Sequence, residues 1–504
     1  MVNTKKIVKN SLWLYLRMLL VTGVALYTSR VVLKVLGVED FGIYNVTGSL
    51  VAFLSVLTTT MSNSTQRFLN IKKGEGNLVA MATILGVSIN IHKVVSWIIV
   101  FLAESIGLYF VLEILVIPAN KQIDAFWCYQ ATIIALLFTF FRIPYMSLAV
   151  TYERFAFIAW TSLIDVTIKL IMAFALDYFD SHRLIYYGFS FSLMAILQFL
   201  LFKWYCEKIL LPDSIKIKDT FKCAESRSLL SFSSWNILGN VSNVMANQGI
   251  GVILNVFYSV TINAALGITN QVTNTIATFV NNVQQAFRPQ LLQAYTDENK
   301  SSFLSLLYST SRWSFFLMLM ISVPLICNIK YVLLLWLGNY PEYTDSFVTI
   351  LVGYLLIDSL GTPLLNGIEA NGNVKRFQLV LSVLYIANVI LAWCVCLLGV
   401  SPNLAILSKL ATNLFILLLK CIELKKIENK FKLRSYVRNV ILKILPIFVF
   451  CLIYIIASNN MHDSMFKLLV TTSLFVLIYV VLLFFVGLTQ KERNICISKI
   501  LKFK

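Results

Sequence analysis

Apolar runs of 18 or more residues recur along the whole chain, separated by short polar segments. Each run is continuous, not alternating, and long enough for a helix to cross a hydrocarbon layer. In lipid the backbone must satisfy its own hydrogen bonds, so spans are helices or closed barrels, and uninterrupted runs select helices. The pattern predicts about fourteen spans, near 12–36, 43–66, 87–112, 124–150, 157–177, 184–206, 229–257, 262–286, 304–329, 344–368, 377–399, 403–422, 439–458 and 468–488. The stretch from Leu78 to Asn90 has a second reading, an amphipathic helix on the cytoplasmic surface ahead of the third span. The fold class expected is an all-α polytopic membrane protein.

Composition agrees with that reading. The chain is 58% hydrophobic and 13% charged, against roughly 25% charged in soluble domains. The net charge of +18 raises nucleic acid as a partner, but its distribution argues for no nucleic acid. The basic residues sit in short segments between apolar runs. With the N-terminus inside, the inner segments hold thirty Lys and Arg and the outer ones four, Lys121, Arg183, Lys330 and Lys467. Lys420 is counted with the inner set. That asymmetry places both termini in the cytoplasm. Lys5, Lys6 and Lys9 precede the first run, and Leu12 to Leu36 is too long for a signal peptide and has no small-residue cleavage site. It reads as the first helix. The closing segment Asn494–Lys504 alternates apolar and basic residues and suits a cationic tail on anionic lipid.

The polar segments divide the chain into an N-terminal lobe of six helices (1–210), a cytoplasmic linker (211–228), a second six-helix lobe (229–425) and two further helices with a tail (426–504). A repeat supports the division. Phe41-Gly42-Ile43-Tyr44-Asn45 opens the second span and Leu266-Gly267-Ile268-Thr269-Asn270 opens the eighth, and these helices end near Arg67 and Arg288. Two halves of equal orientation imply a parallel repeat, with substrate in a central cavity between them.

Polar residues inside the spans are the candidate chemistry. Asn236, Asn240, Asn243 and Asn247 lie on one helical face, as do Asn270, Asn274, Asn281 and Gln285. The second span is rich in hydroxyls, from Thr47 to Ser64. Two readings stand side by side: interhelical hydrogen-bond glue, or a wet groove of neutral donors and acceptors that suits sugar hydroxyls. In-span charges are costly and usually face a cavity or a partner. Arg17, Arg30 and Lys34 lie on the first helix, and Arg142 precedes Pro144. A guanidinium fork matches phosphate, so Arg30, with Lys34 and Arg142 in support, is the candidate phosphate site. Lys34 also suits interface anchoring, and Arg17 suits snorkelling to the cytoplasm. Asp165 and Lys169 are spaced as a self-neutralising pair. Glu104 and Asp358, the latter alone in its span, are candidate proton or sodium sites.

No catalytic constellation stands out. The three histidines are far apart, the nine cysteines fit no zinc or disulfide spacing, and there is no P-loop. The expectation is a non-enzyme without a cofactor, driven by an ion gradient, the membrane potential or the substrate gradient.

The run from Ser29 to Tyr44, SRVVLKVLGVEDFGIY, resembles the opening of Wzx-type polysaccharide flippases of the multidrug/oligosaccharidyl-lipid/polysaccharide exporter superfamily. Ala103–Phe110, Ile143-Pro144-Tyr145 and Asn247-Gln248-Gly249-Ile250 are similar too, and the resemblance covers nearly the whole chain. It implies two lobes around a V-shaped cavity, with helices thirteen and fourteen added. It also implies an undecaprenyl-diphosphate-linked oligosaccharide (an O-antigen, capsule or exopolysaccharide repeat unit) as cargo, moved by alternating access. Polysaccharide polymerase and chain-length machinery are the implied partners. Leu266 stands where many relatives have a basic or aromatic residue, which removes one expected phosphate anchor from the second lobe. Competing readings are a drug exporter of the same superfamily, whose cavity should carry acids, and a membrane-embedded polymerase or glycosyltransferase, which needs longer outer loops. A scaffold in a polysaccharide-assembly complex has no positive sign.

Overall fold

The computed structural model describes residues 4–179, 181–210, 224–296, 300–370, 375–459, 461–490 and 492–494. Side chains of 4–17, 224–240 and scattered helical positions lie outside that description. The described residues form helices and turns, with no strand among them. In chain order the helices are α1 (Thr4–Gly74), α2 (Leu78–Leu102), α3 (Gln122–Thr151), α4 (Phe155–Ala175), α5 (Arg183–Tyr205), α6 (Ala224–Phe257), α7 (Val260–Thr296) and α8 (Lys300–Cys327). They continue with α9 (Ile329–Leu337), α10 (Thr344–Ala370), α11 (Lys375–Leu397), α12 (Pro402–Ile427), α13 (Leu433–Tyr436), α14 (Leu442–Ser458) and α15 (Met465–Leu482).

Among the described residues, eleven helical stretches are long and apolar enough to cross a membrane. The remaining expected spans are long helices with more polar faces or a kink. The first two share α1, which turns at Gly37, where φ is +79°. Only glycine adopts that backbone without strain. The seventh and eighth are α6 and α7. The segment from Leu78 is no separate surface helix: it runs unbroken into the third span and is capped by Asn77, whose side chain accepts from the Ala80 amide at 2.9 Å.

The chain forms two compact units, Met1–Gly267 with Tyr385–Pro402, and Ile268–Leu384 with Asn403–Lys504. The first thus includes α6 and the start of α7, and residues 211–223 of the expected linker lie outside the described residues. In unit 1 the core joins α1, α2 and α3 through Val46, Met61, Ile91, Tyr129 and Phe140. Part of the hydroxyl-rich second span is glue: Thr65 meets Ser88 at 2.8 Å and Ser62 meets Ser147 at 3.3 Å. The repeat glycines mark close crossings within this unit. A side-chain carbon at Gly42 would collide with the Val260 carbonyl, and one at Gly267 with the Asn45 amide.

In unit 2, α14 and α15 pack on α8. The Tyr479 hydroxyl donates to the Phe316 carbonyl at 2.7 Å, and Asn328 donates to Thr471 at 2.9 Å. Arg312, buried on α8, donates to the Asn439 carbonyl at 2.8 Å and pairs with Glu492 at 2.7 Å. The two added helices are therefore built into the unit's core.

Candidate functional site

One end of unit 1 is fixed by an ion pair and hydrogen bonds. Lys121, just before α3, pairs with Asp40 at 2.8 Å, and Asp124 pairs with His182 at 2.6 Å. Arg183 donates to the Val35 carbonyl at 3.0 Å. These contacts bring the starts of α3 and α5 to the α1 kink, which sets a common origin for depth. Arg30 and Lys34 are exposed on the first arm of α1, seven and three residues before Gly37. That is about 10 and 5 Å of helix from this end. Arg142 lies twenty residues beyond Gln122, about 30 Å from the same end. It donates to Gln198 on α5, and its guanidinium lies 5.7 Å from the Phe202 ring centroid. The grouping expected from sequence is therefore split. Arg30 and Lys34 share a level, and Arg142 sits too far along the axis for one phosphate to bridge it to them.

Two in-span acids of unit 1, Asp165 and Glu104, have close partners. Asp165 and Lys169 form a salt bridge of 2.8 Å, and the Lys169 ammonium lies 4.8 Å from the Phe191 ring centroid. Glu104 accepts from Gln130 at 3.0 Å. Of the amide residues, Asn243 and Asn247 are half-buried on α6 and bonded to each other, Asn247 donating to the Asn243 side-chain oxygen at 2.9 Å. On α7, Asn270 is half-buried while Asn274 and Asn281 are exposed. The side chains of Arg17, Asn236, Asn240 and Gln285 lie outside the described residues, as do those of Arg67 and Arg288. Unit 1 also holds a cavity of about 610 Å³ lined by Leu50, Phe53, Ile106, Val252 and Trp393, among other apolar groups. Its walls offer a hydrocarbon surface and almost nothing for a sugar hydroxyl to bond.

Unit 2 corrects the sequence reading at Asp358. It is not alone. The Lys420 ammonium lies 3.6 Å from its carboxylate, and Asp358 is in electrostatic reach of Lys409 as well. The Lys409 ammonium sits 4.9 Å from the centroid of the Tyr354 ring, one turn before Asp358. Lys420 is not a cytoplasmic loop residue but a buried one, seven residues inside the end of α12. The sequence did carry a signal for both lysines. They fall inside the twelfth predicted span at a spacing of eleven residues, three turns that return to one face.

No family model matches the chain, and no curated protein sequence does. Solved structures do match in fold. "Lipid II flippase MurJ, inward closed conformation" aligns with a TM-score of 0.70 at 15% identity, over 94% of this chain and 97% of that one. The inward-facing conformation of a multidrug resistance MATE family transporter of the MOP superfamily aligns at 0.69 and 12% identity, over 81% and 96%. The chain has the fold of these transporters. A MOP superfamily transporter from Pyrococcus furiosus, described for the reverse polarity of its binding pocket, aligns at 0.59 and 10%, over 90% and 97%. The two-lobed, all-helical expectation is met at the level of fold.

Proposed function

We propose that this chain is a flippase that carries an undecaprenyl-diphosphate-linked oligosaccharide from the cytoplasmic to the outer leaflet of a bacterial inner membrane by alternating access. The observation that carries the reading is the charge balance inside the spans. In unit 1 Asp165 is held by Lys169 and Glu104 by Gln130, while Arg30 and Lys34 present exposed basic charge at one level of α1. Such an arrangement favours an anionic cargo, and a guanidinium grips phosphate through two charge-assisted hydrogen bonds. The fold shared with a lipid II flippase over nearly the full length of both chains supports the same class of cargo. Arg30 and Lys34 are assigned to the diphosphate, and the amide faces of α6 and α7 to the sugars. Arg142 is assigned to a later or earlier stage of the path, because it lies at another depth.

Orientation follows the basic asymmetry, with both termini cytoplasmic and the Asp40–Lys121 end of unit 1 periplasmic. Polymerase and chain-length proteins are then the partners on the outer face. The MATE-like fold favours one rival, a small-molecule exporter. A cation exporter needs unpaired acids on its path, and the exposed basic pair on α1 opposes that.

The experiment is deletion of the gene, followed by measurement of the membrane face on which the lipid-linked oligosaccharide accumulates. Accumulation on the cytoplasmic face is expected, rescued by the wild-type protein. Arg30→Ala should cut delivery at least tenfold, the scale of one charge-assisted contact, with Arg30→Lys intermediate. Normal delivery to the outer face in the deletion strain would overturn the reading. Normal delivery by both Arg30 variants would overturn the assignment of Arg30.

A further inference from the structure

We infer that Lys409 and Lys420 form a two-rung anion site along α12, with Asp358 as a resident counter-ion shared between the rungs. The ligand class is a phosphate or diphosphate head, and this assignment rests on the flippase reading above. Four observations place it. The two lysines lie on one face of α12, three turns apart, and each is seven residues from its own end of the helix, about 10 Å inside it. Their side chains reach toward the same stretch of α10: Lys409 lies over Tyr354 and Lys420 against Asp358. Gly361, one turn beyond Asp358, makes room, since a side-chain carbon there would stand 2.8 Å from the Lys420 ammonium. Finally, the exposures are unequal. The Lys420 side chain is 7% exposed and that of Asp358 37%.

Two ammonium groups facing one carboxylate leave a net positive charge within the span. An intramembrane charge without full compensation faces a cavity or a functional partner. A carboxylate more than a third exposed at this depth faces water, not lipid, so the cluster is reachable by a polar ligand. The same geometry explains how one acid serves two bases. When an anion sits on Lys409, Asp358 neutralises Lys420, and when the anion sits on Lys420, Asp358 turns to Lys409. A diphosphate head could then pass along α12 without leaving either lysine bare.

The test is equilibrium binding of farnesyl diphosphate to the full-length protein in uncharged phosphatidylcholine nanodiscs. Lys409→Gln and Lys420→Gln should each weaken binding about tenfold, with Lys420→Arg retaining it. Asp358→Asn should tighten binding several-fold and make the melting temperature rise more steeply with ligand than in wild type. A merely structural carboxylate would not give that reversed sign. Two further arms distinguish sources. Inorganic diphosphate binding as tightly as the prenyl form would assign the site to free phosphate, and competition by phosphatidylglycerol would assign it to lipid headgroups. Unchanged binding in Lys409→Gln, or weaker binding in folded Asp358→Asn, would overturn the site. If Lys420→Gln fails to fold, the Lys409 and Asp358 variants still decide. Diphosphate binding without any transport would count against the flippase reading alone. Wild-type transport by a folded Lys409→Gln/Lys420→Arg double variant would count against this site alone.

Discussion

The two units handle charge inside the membrane differently. In unit 1 the in-span cation–acid pair is local, Asp165 taking a lysine from its own helix one turn on, while Glu104 takes only a neutral amide from α3. Arg30 and Lys34 on α1 are exposed. Unit 2 instead brings one acid on α10 to two lysines on α12, and buries one of them. It does the same with Arg312, Asn439 and Glu492, which come from three distant parts of the chain. Desolvating a charge costs several kcal/mol unless partners are well placed. Local pairing therefore tolerates loss of a partner, because exposure to water remains. Distant pairing does not, and it ties charge to the packing of whole helices.

That contrast orders the expected effects of mutation. The largest falls on Arg312. Arg312→Ala leaves Glu492 without its guanidinium and should cost about 4 kcal/mol of unit 2 stability, read as thermal denaturation in detergent. Burial alone would raise the Glu492 carboxyl. The Thr489 hydroxyl and amide and the Arg312 guanidinium outweigh it and hold the group below its usual range. A depressed folded value means the contribution is present above the unfolded carboxylate value and is lost as pH falls through the folded one. The wild-type protein should thus lose more stability on acidification than Arg312→Ala, which keeps only the Thr489 share of that loss.

Asp358→Asn comes next, at about 3 kcal/mol, because it strands the buried Lys420. Lys420→Met should cost much less, since the partly exposed Asp358 can hydrate. Equal losses for the two variants would contradict the proposed asymmetry of burial. In unit 1, Gly42→Ala forces the α1–α7 crossing apart against the Val260 backbone, and about 2 kcal/mol is expected. A neutral result would show that the crossing can relax. The smallest effect is at Asp165→Asn, below about 1 kcal/mol, since both partners are partly exposed and local. A large loss there would erase the distinction between the units.

The sequence makes some of this visible and hides the rest for a physical reason. Span positions are legible because a run of 18 or more apolar residues has few alternatives in lipid, and even the kink is marked by Gly37. The Asp165–Lys169 pairing is legible because i,i+4 geometry is intrinsic to a helix. Lys409 and Lys420 are readable as one face of α12, but Asp358 as their partner is not, because helix-to-helix register is set by packing and not by spacing. The hydroxyls show the same limit. In one dimension Ser62 suits glue and groove alike, and only the fold shows that it meets Ser147 across a helix contact. The depth difference between Arg30 and Arg142 likewise needs the α1 kink, α3 and α5 to share one fixed end.

The most direct test of the central claim is translocation by the purified protein. Liposomes carrying a fluorescent prenyl-diphosphate sugar in both leaflets would be prepared with and without it, and probed with a membrane-impermeant quencher. The account predicts that nearly all of the fluorescence becomes quenchable with time in the presence of the protein, that Arg30→Ala slows this, and that an uncharged prenyl sugar is not moved. Quenching that stops at the outer leaflet, as in protein-free liposomes, would contradict it.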